Sequence, residues 1–233
     1  RIEELAQDPT PVYGISTGFG ALARRHIPEE MRAQLQLSLV RSHAAGTGPE
    51  VEEVIRALML LRLSTLCTGR TGVRPVVVET YAKALNAGIV PVVREYGSLG
   101  CSGDLAPLAH CALALLGEGE VRVNGELQDA GEALAAAGIE PLQLREKEGL
   151  ALINGTDGML GQLCLAITDL RAAAKTADIA TAMTVEGLLG TLVVFADDLQ
   201  QLRPHPGQAD AAANILQVAE GSEILESALE EFK

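Results

Sequence analysis

Between Asn154 and Leu189 the chain carries Leu, Ile and Met at helical spacing, over a run long for a helix of a globular protein. Long helices with small residues on their faces pack closely side by side, so this stretch points to a bundle. Gly187 and Gly190 stand where such a helix would kink or end. Composition agrees. Ala and Leu, both good helix formers, dominate, aromatics are 3% and Trp is absent. With 233 residues, 48% of them hydrophobic, a substantial core in one or two domains is expected. The expected fold class is mainly α, a helical bundle with one small β-hairpin.

Punctuation places the other elements. Arg1–Leu5 reads as a helix already under way, as in a shortened chain. Residues 9–28, rich in Gly, Pro and Thr, read as loop. A helix runs from Pro28-Glu29-Glu30, with acids in its first turn, to about Ala45 and stops at Gly46. Pro49-Glu50 opens another that ends near Cys67; a turn over 68–74 leads to a helix over 75–87. Residues 88–104 read as a long irregular loop, a length that inside a compact domain tends to be functional. A helix follows over 105–116, then an alternating segment around Asn124-Gly125, the hairpin signal. Short helices are expected over 129–137, 191–202 and 208–220, the last two separated by a break at Pro204–Gly207. The domain division is placed between 153 and 154.

A formal net charge of −13 argues against non-specific nucleic-acid binding and against adhesion to anionic membranes. No charge-free apolar run is long enough to span a bilayer, and no signal peptide opens the chain. Cys67, Cys101, Cys111 and Cys164 form no Cys-x-x-Cys pair, and His110 beside Cys111 lacks a matching second half, so no zinc site is expected. Cys67, Cys111 and Cys164 lie in apolar runs and are expected to pack as small hydrophobes. A reducing, cytoplasmic compartment fits. Gly155-x-x-Gly158-x-x-Gly161 has the wrong spacing for a dinucleotide fingerprint.

Chemistry concentrates in Gly97-Ser-Leu-Gly-Cys101-Ser102-Gly103-Asp104-Leu-Ala-Pro-Leu-Ala-His110. The plain reading is a loop and a helix capped by Asp104. A second reading is chemical. In a tight bend the Gly103 amide nitrogen could attack the Cys101 carbonyl carbon, and the Ser102 hydroxyl could leave as water. The product is a ring with an exocyclic methylene, an electrophile built from backbone. A serine-hydrolase reading fails, because Gly100-Cys101-Ser102-Gly103 is not a nucleophile elbow and no strong strand precedes it. A Ser102–His110–Asp104 triad would crowd one loop.

This segment resembles the modified tripeptide of the aromatic amino acid ammonia-lyases, which carry a 4-methylidene-imidazol-5-one group. Cys101 replaces the family's usual Ala; only its backbone enters the ring. Tyr13-Gly14-Ile15-Ser16-Thr17-Gly18-Phe19-Gly20, Arg41-Ser42-His43-Ala44-Ala45-Gly46, Leu152-Ile153-Asn154-Gly155-Thr156 and Pro204-His205-Pro206-Gly207-Gln208 also match, in order, from about Val12 to Ser227. The histidine-specific branch is the nearest in pattern. The resemblance implies the fumarase/aspartase-like lyase fold, with 1–153 as the ring-bearing domain and 154–233 as the start of a central long-helix bundle. It implies conversion of L-histidine to trans-urocanate and ammonia, no external cofactor, and a homo-oligomer, a tetramer in the intact family. The family continues with a segment like Val-Gln-Asp-x-Tyr-Ser that is not present here. The chain is therefore expected to be an N-terminal fragment of low or no activity alone. A non-catalytic helical half that assembles with a partner chain, and a tyrosine- or phenylalanine-specific lyase or aminomutase, stay open.

The same resemblance gives the other residues their roles. Tyr13 is placed as the base for the weakly acidic β-proton; read alone it is an ordinary half-buried tyrosine. Gly14, Gly18 and Gly20 would let its loop fold tightly over substrate. His43, near a helix C-terminus, is either a structural cap or a partner for a desolvated imidazole. Asn154 is an N-cap for the long helix, a group near the substrate carboxylate, or both. Asp104 orients the tripeptide or caps its own helix. Leu152 stands at an apolar pocket position and reads equally as core. His205 is read as a rigid-turn residue.

Overall fold

A computed structural model describes residues 1–231. They form α1 (Ile2–Gln7), α2 (Glu29–His43), β1 (Thr47–Glu50), α3 (Glu53–Cys67), α4 (Pro75–Asn86), β2 (Ile89–Pro91), β3 (Arg94–Tyr96) and α5 (Leu105–Leu115). There follow β4 (Glu120–Val123), β5 (Glu126–Asp129), α6 (Ala130–Ala136), α7 (Glu148–Ile153), α8 (Asp157–Gly187), α9 (Asp197–Gln201), α10 (Pro206–Val218) and α11 (Glu223–Glu231). The fold is mainly helical, as expected. Two compact units divide it, Arg1–Leu165 and Ala166–Lys233, so the boundary lies within α8 rather than at its start.

The core of the first unit is built on α5. Its sequence, Leu-Ala-Pro-Leu-Ala-His-Cys-Ala-Leu-Ala-Leu, is apolar nearly all round, which suits a central helix. Leu108 and Leu115 pack there with Val40 of α2, Leu58 and Met59 of α3, Val77 and Tyr81 of α4, Leu134 of α6 and Leu152 and Ile153 of α7. Each fully buried Leu or Met is worth ~1.5–3 kcal/mol. The second unit has a smaller core of Ala182, Ile215, Ala219 and Leu225. An Asn214 amide there donates to Asp178 Oδ2 at 2.8 Å.

Residues 88–104 are not one irregular loop. β2 pairs antiparallel with β4, making the β4–β5 hairpin a three-stranded sheet, and β3 pairs antiparallel with β1. β1 also displaces the expected start of a helix at Pro49, and α3 begins at Glu53. A proline without N–H suits an edge strand. Gly48 lies at φ +82°, where a Cβ would meet the Tyr96 ring at 2.6 Å. The hairpin turn itself is as read, with Asn124 and Gly125 at φ +53° and +85°. Asp129 caps α6 by accepting from the Glu132 N–H at 3.1 Å.

Other expectations need correction. α7 is separated from α8 by Asn154-Gly155-Thr156, so the long helix starts at Asp157. The 191–202 segment is a 3-10 turn over Val193–Phe195 followed by α9. Cys111 is buried, but Cys67 and Cys164 are exposed because they sit on the solvent sides of their helices. The stretch Glu148–Gly187 is long and apolar enough, by length and composition, to cross a membrane, with a window of mean hydropathy 1.3. Asp157, Asp169, Arg171, Lys175 and Asp178 punctuate it, and core helices of bundles share such composition.

Along α8, Leu160, Leu163, Ile167 and Leu170 follow each other at three- and four-residue spacing and are exposed, as are Ala174 and Ala177. That spacing is the seam of a left-handed helix pair.

Candidate active site

The tripeptide lies in the loop from β3 to α5. Gly97 starts this loop against the end of α2, where a Cβ would stand 2.7 Å from the Ala45 carbonyl oxygen. Gly100 and Cys101 both take positive φ, +68° and +61°. The Gly103 N–H points back to the Gly100 carbonyl at 3.4 Å, closing a tight turn over residues 101 and 102. A non-glycine residue in the left-handed region costs ~1–2 kcal/mol, so its surroundings must hold it there.

Asp104 does much of that holding. Its N–H donates to the Gly155 carbonyl at 2.7 Å. Its carboxylate accepts from Ser98 Oγ at 2.9 Å and from the Met159 N–H, in the first turn of α8, at 2.9 Å. It therefore does not cap its own helix, because its side chain is turned onto the N-terminus of α8, where the helix dipole favours an anion. Asn154 is likewise no N-cap for α8. It closes α7, donating its N–H to the Leu150 carbonyl at 3.0 Å. Its Oδ1 stands 3.0 Å from where a Cβ on Gly103 would lie, so only glycine lets the two approach.

His43 is the last residue of α2. Its Nδ1 is 2.9 Å from the Leu39 carbonyl oxygen and 3.0 Å from Ser42 Oγ. The carbonyl only accepts, which assigns the proton to Nδ1. In the neutral ring Nε2 then keeps its lone pair for a ligand.

His43, Cys101, Ser102, Gly103 and Asn154 line one cavity of about 370 Å³, with Ser42, Leu99 and Leu105 completing much of its wall. That volume suits a small molecule. Tyr13, Gly20 and Leu152 are not in this lining. Tyr13 is half-exposed, stacks edge-on with Phe19 at 6.2 Å, and accepts the Gly20 N–H at 3.4 Å. Leu152 is buried in the core instead, because α7 turns it toward α5 and α2.

Residues not singled out from the sequence stand behind the cavity. Arg62 of α3 is buried, donates from Nη1 to the Asn154 carbonyl at 3.0 Å and pairs with Asp157 at 3.2 Å. Burial raises the Asp157 carboxyl above its ordinary pKa, against the lowering effect of Arg62. The available signal was Arg62 itself, a cation in the apolar run Leu60-Leu61-Arg62-Leu63, which has to find a partner if buried. Among the described residues no three His, Cys, Asp or Glu side chains gather to hold a metal ion.

The aromatic amino acid lyase family model matches residues 1–232. The chain belongs to this family. Against the histidine ammonia-lyase of Streptomyces avermitilis it is 63% identical over 225 residues, covering 96% of this chain and 44% of that protein. The family likeness extends to solved structures. The tyrosine aminomutase of Streptomyces globisporus matches with TM-score 0.89 and 42% identity, over 99% of this chain and 45% of its own. The histidine ammonia-lyase of Trypanosoma cruzi matches with TM-score 0.86 and 38% identity, over 98% and 45%. The chain thus spans less than half the length of these family members.

Proposed function

We propose that this chain carries the electrophile-forming part of a cytoplasmic histidine ammonia-lyase, which converts L-histidine to trans-urocanate and ammonia without an external cofactor. The observation that carries the reading is the meeting of Cys101-Ser102-Gly103 with His43 and Asn154 in one cavity.

The residues present fit a 4-methylidene-imidazol-5-one. The turn at 100–103 doubles the backbone back, and the close approach of Asn154 to Gly103 tolerates no side chain there. Formation joins the Gly103 nitrogen to the Cys101 carbonyl carbon with loss of one water, and Ser102 loses a second. Once formed, the group is an electrophile that turns the substrate's amine into a leaving group. His43 receives the N–H of the substrate imidazole on Nε2, held by its bond to Leu39. Asn154 offers its amide to the substrate carboxylate. Tyr13 takes the β-proton, reaching the cavity by closure of a loop whose Gly14 and Gly20 already take positive φ. The exposed apolar seam of α8 supports a homo-oligomer.

The test is intact-protein mass with peptide mapping. A deficit of two waters on the peptide holding 101–103, lost in Ser102→Ala, is the expected result; an unmodified tripeptide overturns the ring. The likeness to an aminomutase that acts on tyrosine supports a second reading, a related specificity on the same electrophile. In the full-length protein, turnover of histidine against tyrosine separates the two, and His43→Leu tests the residue proposed to set that preference. A shift of preference from histidine to phenylalanine is expected, and unchanged preference removes His43 from substrate recognition.

A further inference from the structure

Arg62 lies outside the cavity lining, yet it is the group on which the cavity's back wall is hung. Its side chain is 3% exposed, and that of Asp157 9%. As a source of stability the pair is poor. Arg62 Nε and Asp157 Oδ2 lack hydrogen-bond partners, and a buried ion pair so incompletely satisfied does not repay its desolvation. What the arrangement does supply is direction. A single guanidinium nitrogen, Arg62 Nη1, reaches both ends of the turn Asn154-Gly155-Thr156-Asp157: it donates to the Asn154 carbonyl at 3.0 Å and forms an ion pair, without a hydrogen bond, to Asp157 Oδ2 at 3.2 Å. Gly155 closes over it, where a Cβ would collide with Arg62 Nη1 and Asp157 Oδ2. The middle of that turn then accepts the Asp104 N–H at 2.7 Å, and Asp104 is the residue directly after the tripeptide. The Asn154 side chain, 3.0 Å from the Cβ direction of Gly103, belongs to the same turn.

We propose that Arg62 is a positioning residue for the Cys101-Ser102-Gly103 tripeptide. Through the Asn154–Asp157 turn it fixes the Asp104 anchor and the Asn154 amide in the geometry that ring closure needs. The inference rests on the ring-forming reading above and adds to it a residue that touches neither the ring atoms nor substrate. It differs from a purely structural role in one consequence. Replacing the pair by apolar groups of similar size would leave the fold intact but release the tripeptide.

The experiment compares this chain with Arg62→Met/Asp157→Leu and with Arg62→Lys. Apolar replacement of both partners avoids an uncompensated buried charge, so the double variant is expected to fold, checked by circular dichroism. Lys keeps a charge for Asp157, but its ammonium is not carried where the rigid guanidinium holds Nη1, the one nitrogen that makes both contacts. Hydrogen exchange is read at the Asp104 and Met159 amides, with the remote Leu142 amide, bonded to the Leu115 carbonyl at 2.8 Å, as reference. In the double variant we expect at least tenfold faster exchange at Asp104 and Met159, unchanged exchange at Leu142, and at least tenfold less dehydrated tripeptide by mass. Arg62→Lys should fall between. Unchanged exchange at Asp104 and Met159, equal acceleration at Leu142, or a loosened turn with wild-type ring yield each overturns the proposal. If the wild-type tripeptide keeps both waters, the ring reading fails by itself, and the exchange comparison still decides whether Arg62 sets the turn.

Discussion

Asp157 illustrates what a buried carboxylate costs when only one of its oxygens' needs is met. Burial lifts its pKa above the ordinary aspartate value of 3.8, and Arg62 offsets only part of this. The folded chain therefore binds more protons than the unfolded one between 3.8 and the raised value. Stability from this group is fully present below that window and is lost as pH rises through it. Urea midpoints measured across the window should fall with rising pH, and Asp157→Asn should flatten the slope; an unchanged slope removes Asp157 as its source. Cys111 shows burial dominating, with the nearby Asp157 charge adding to it and the Tyr81 hydroxyl opposing it. Its thiol is pushed up to about 12, while Cys101 and Cys67 are exposed. Iodoacetamide on the native chain should label Cys67 and Cys101 and spare Cys111 until unfolding, read by peptide mass. Labelling of Cys111 at the same rate would contradict its burial.

At the scale of elements, α4 and α7 are joined by one ion pair. Arg74, just before α4, donates from Nε and Nη2 to the Glu148 carboxylate at 2.8 and 2.7 Å, and Glu148 is the buried first residue of α7. Arg74→Ala leaves that carboxylate with only the Arg74 and Arg145 backbone N–H groups. A loss of ~3 kcal/mol is expected in denaturant unfolding, since breaking a buried pair strands its charge; a change within experimental error would mean solvent reaches Glu148. Such pairs mark the limit of what the sequence discloses. The helices α2, α4, α5 and α8 and the Asn124-Gly125 hairpin rest on local spacing and turn residues, and were legible. The tight turn at Cys101-Ser102-Gly103 also rests on contiguous residues. β1, β2 and β3 were not legible, because strands this short are stabilised by partners distant in sequence, as Ile89 is by Val123. For Asp104 and Asn154, of the readings left open, the capping one is not what the structure shows, for the same reason. Local rules favour the adjacent helix, whereas the Asp104 carboxylate found Met159 and the Asn154 carbonyl found Arg62.

On the scale of the whole molecule, the unanswered apolar surface is that of α8. Leu160, Leu163, Ile167 and Leu170 are exposed by 44%, 53%, 40% and 66%, on one face and at the spacing of a helix seam. Scattered exposed leucines are ordinary, but a continuous row along one helix is the mark of an interface. These side chains are about half exposed, so burying the rest of each against another helix gains about half of the ~1.5–3 kcal/mol of a full burial, a contribution that favours assembly against the entropy of joining two chains. The net charge of −13 opposes assembly only weakly at physiological salt, where exposed charges more than about 8 Å apart are screened. The chain is therefore expected to self-associate, with a mass above the monomer in light scattering after size exclusion. Leu163→Glu with Leu170→Glu should return it to a monomer without loss of helix content, because both side chains are exposed within the chain. If the double variant keeps the wild-type mass, the contact lies elsewhere. If it unfolds, these leucines are already serving the chain's own packing, and the seam on α8 is not a surface for a second copy.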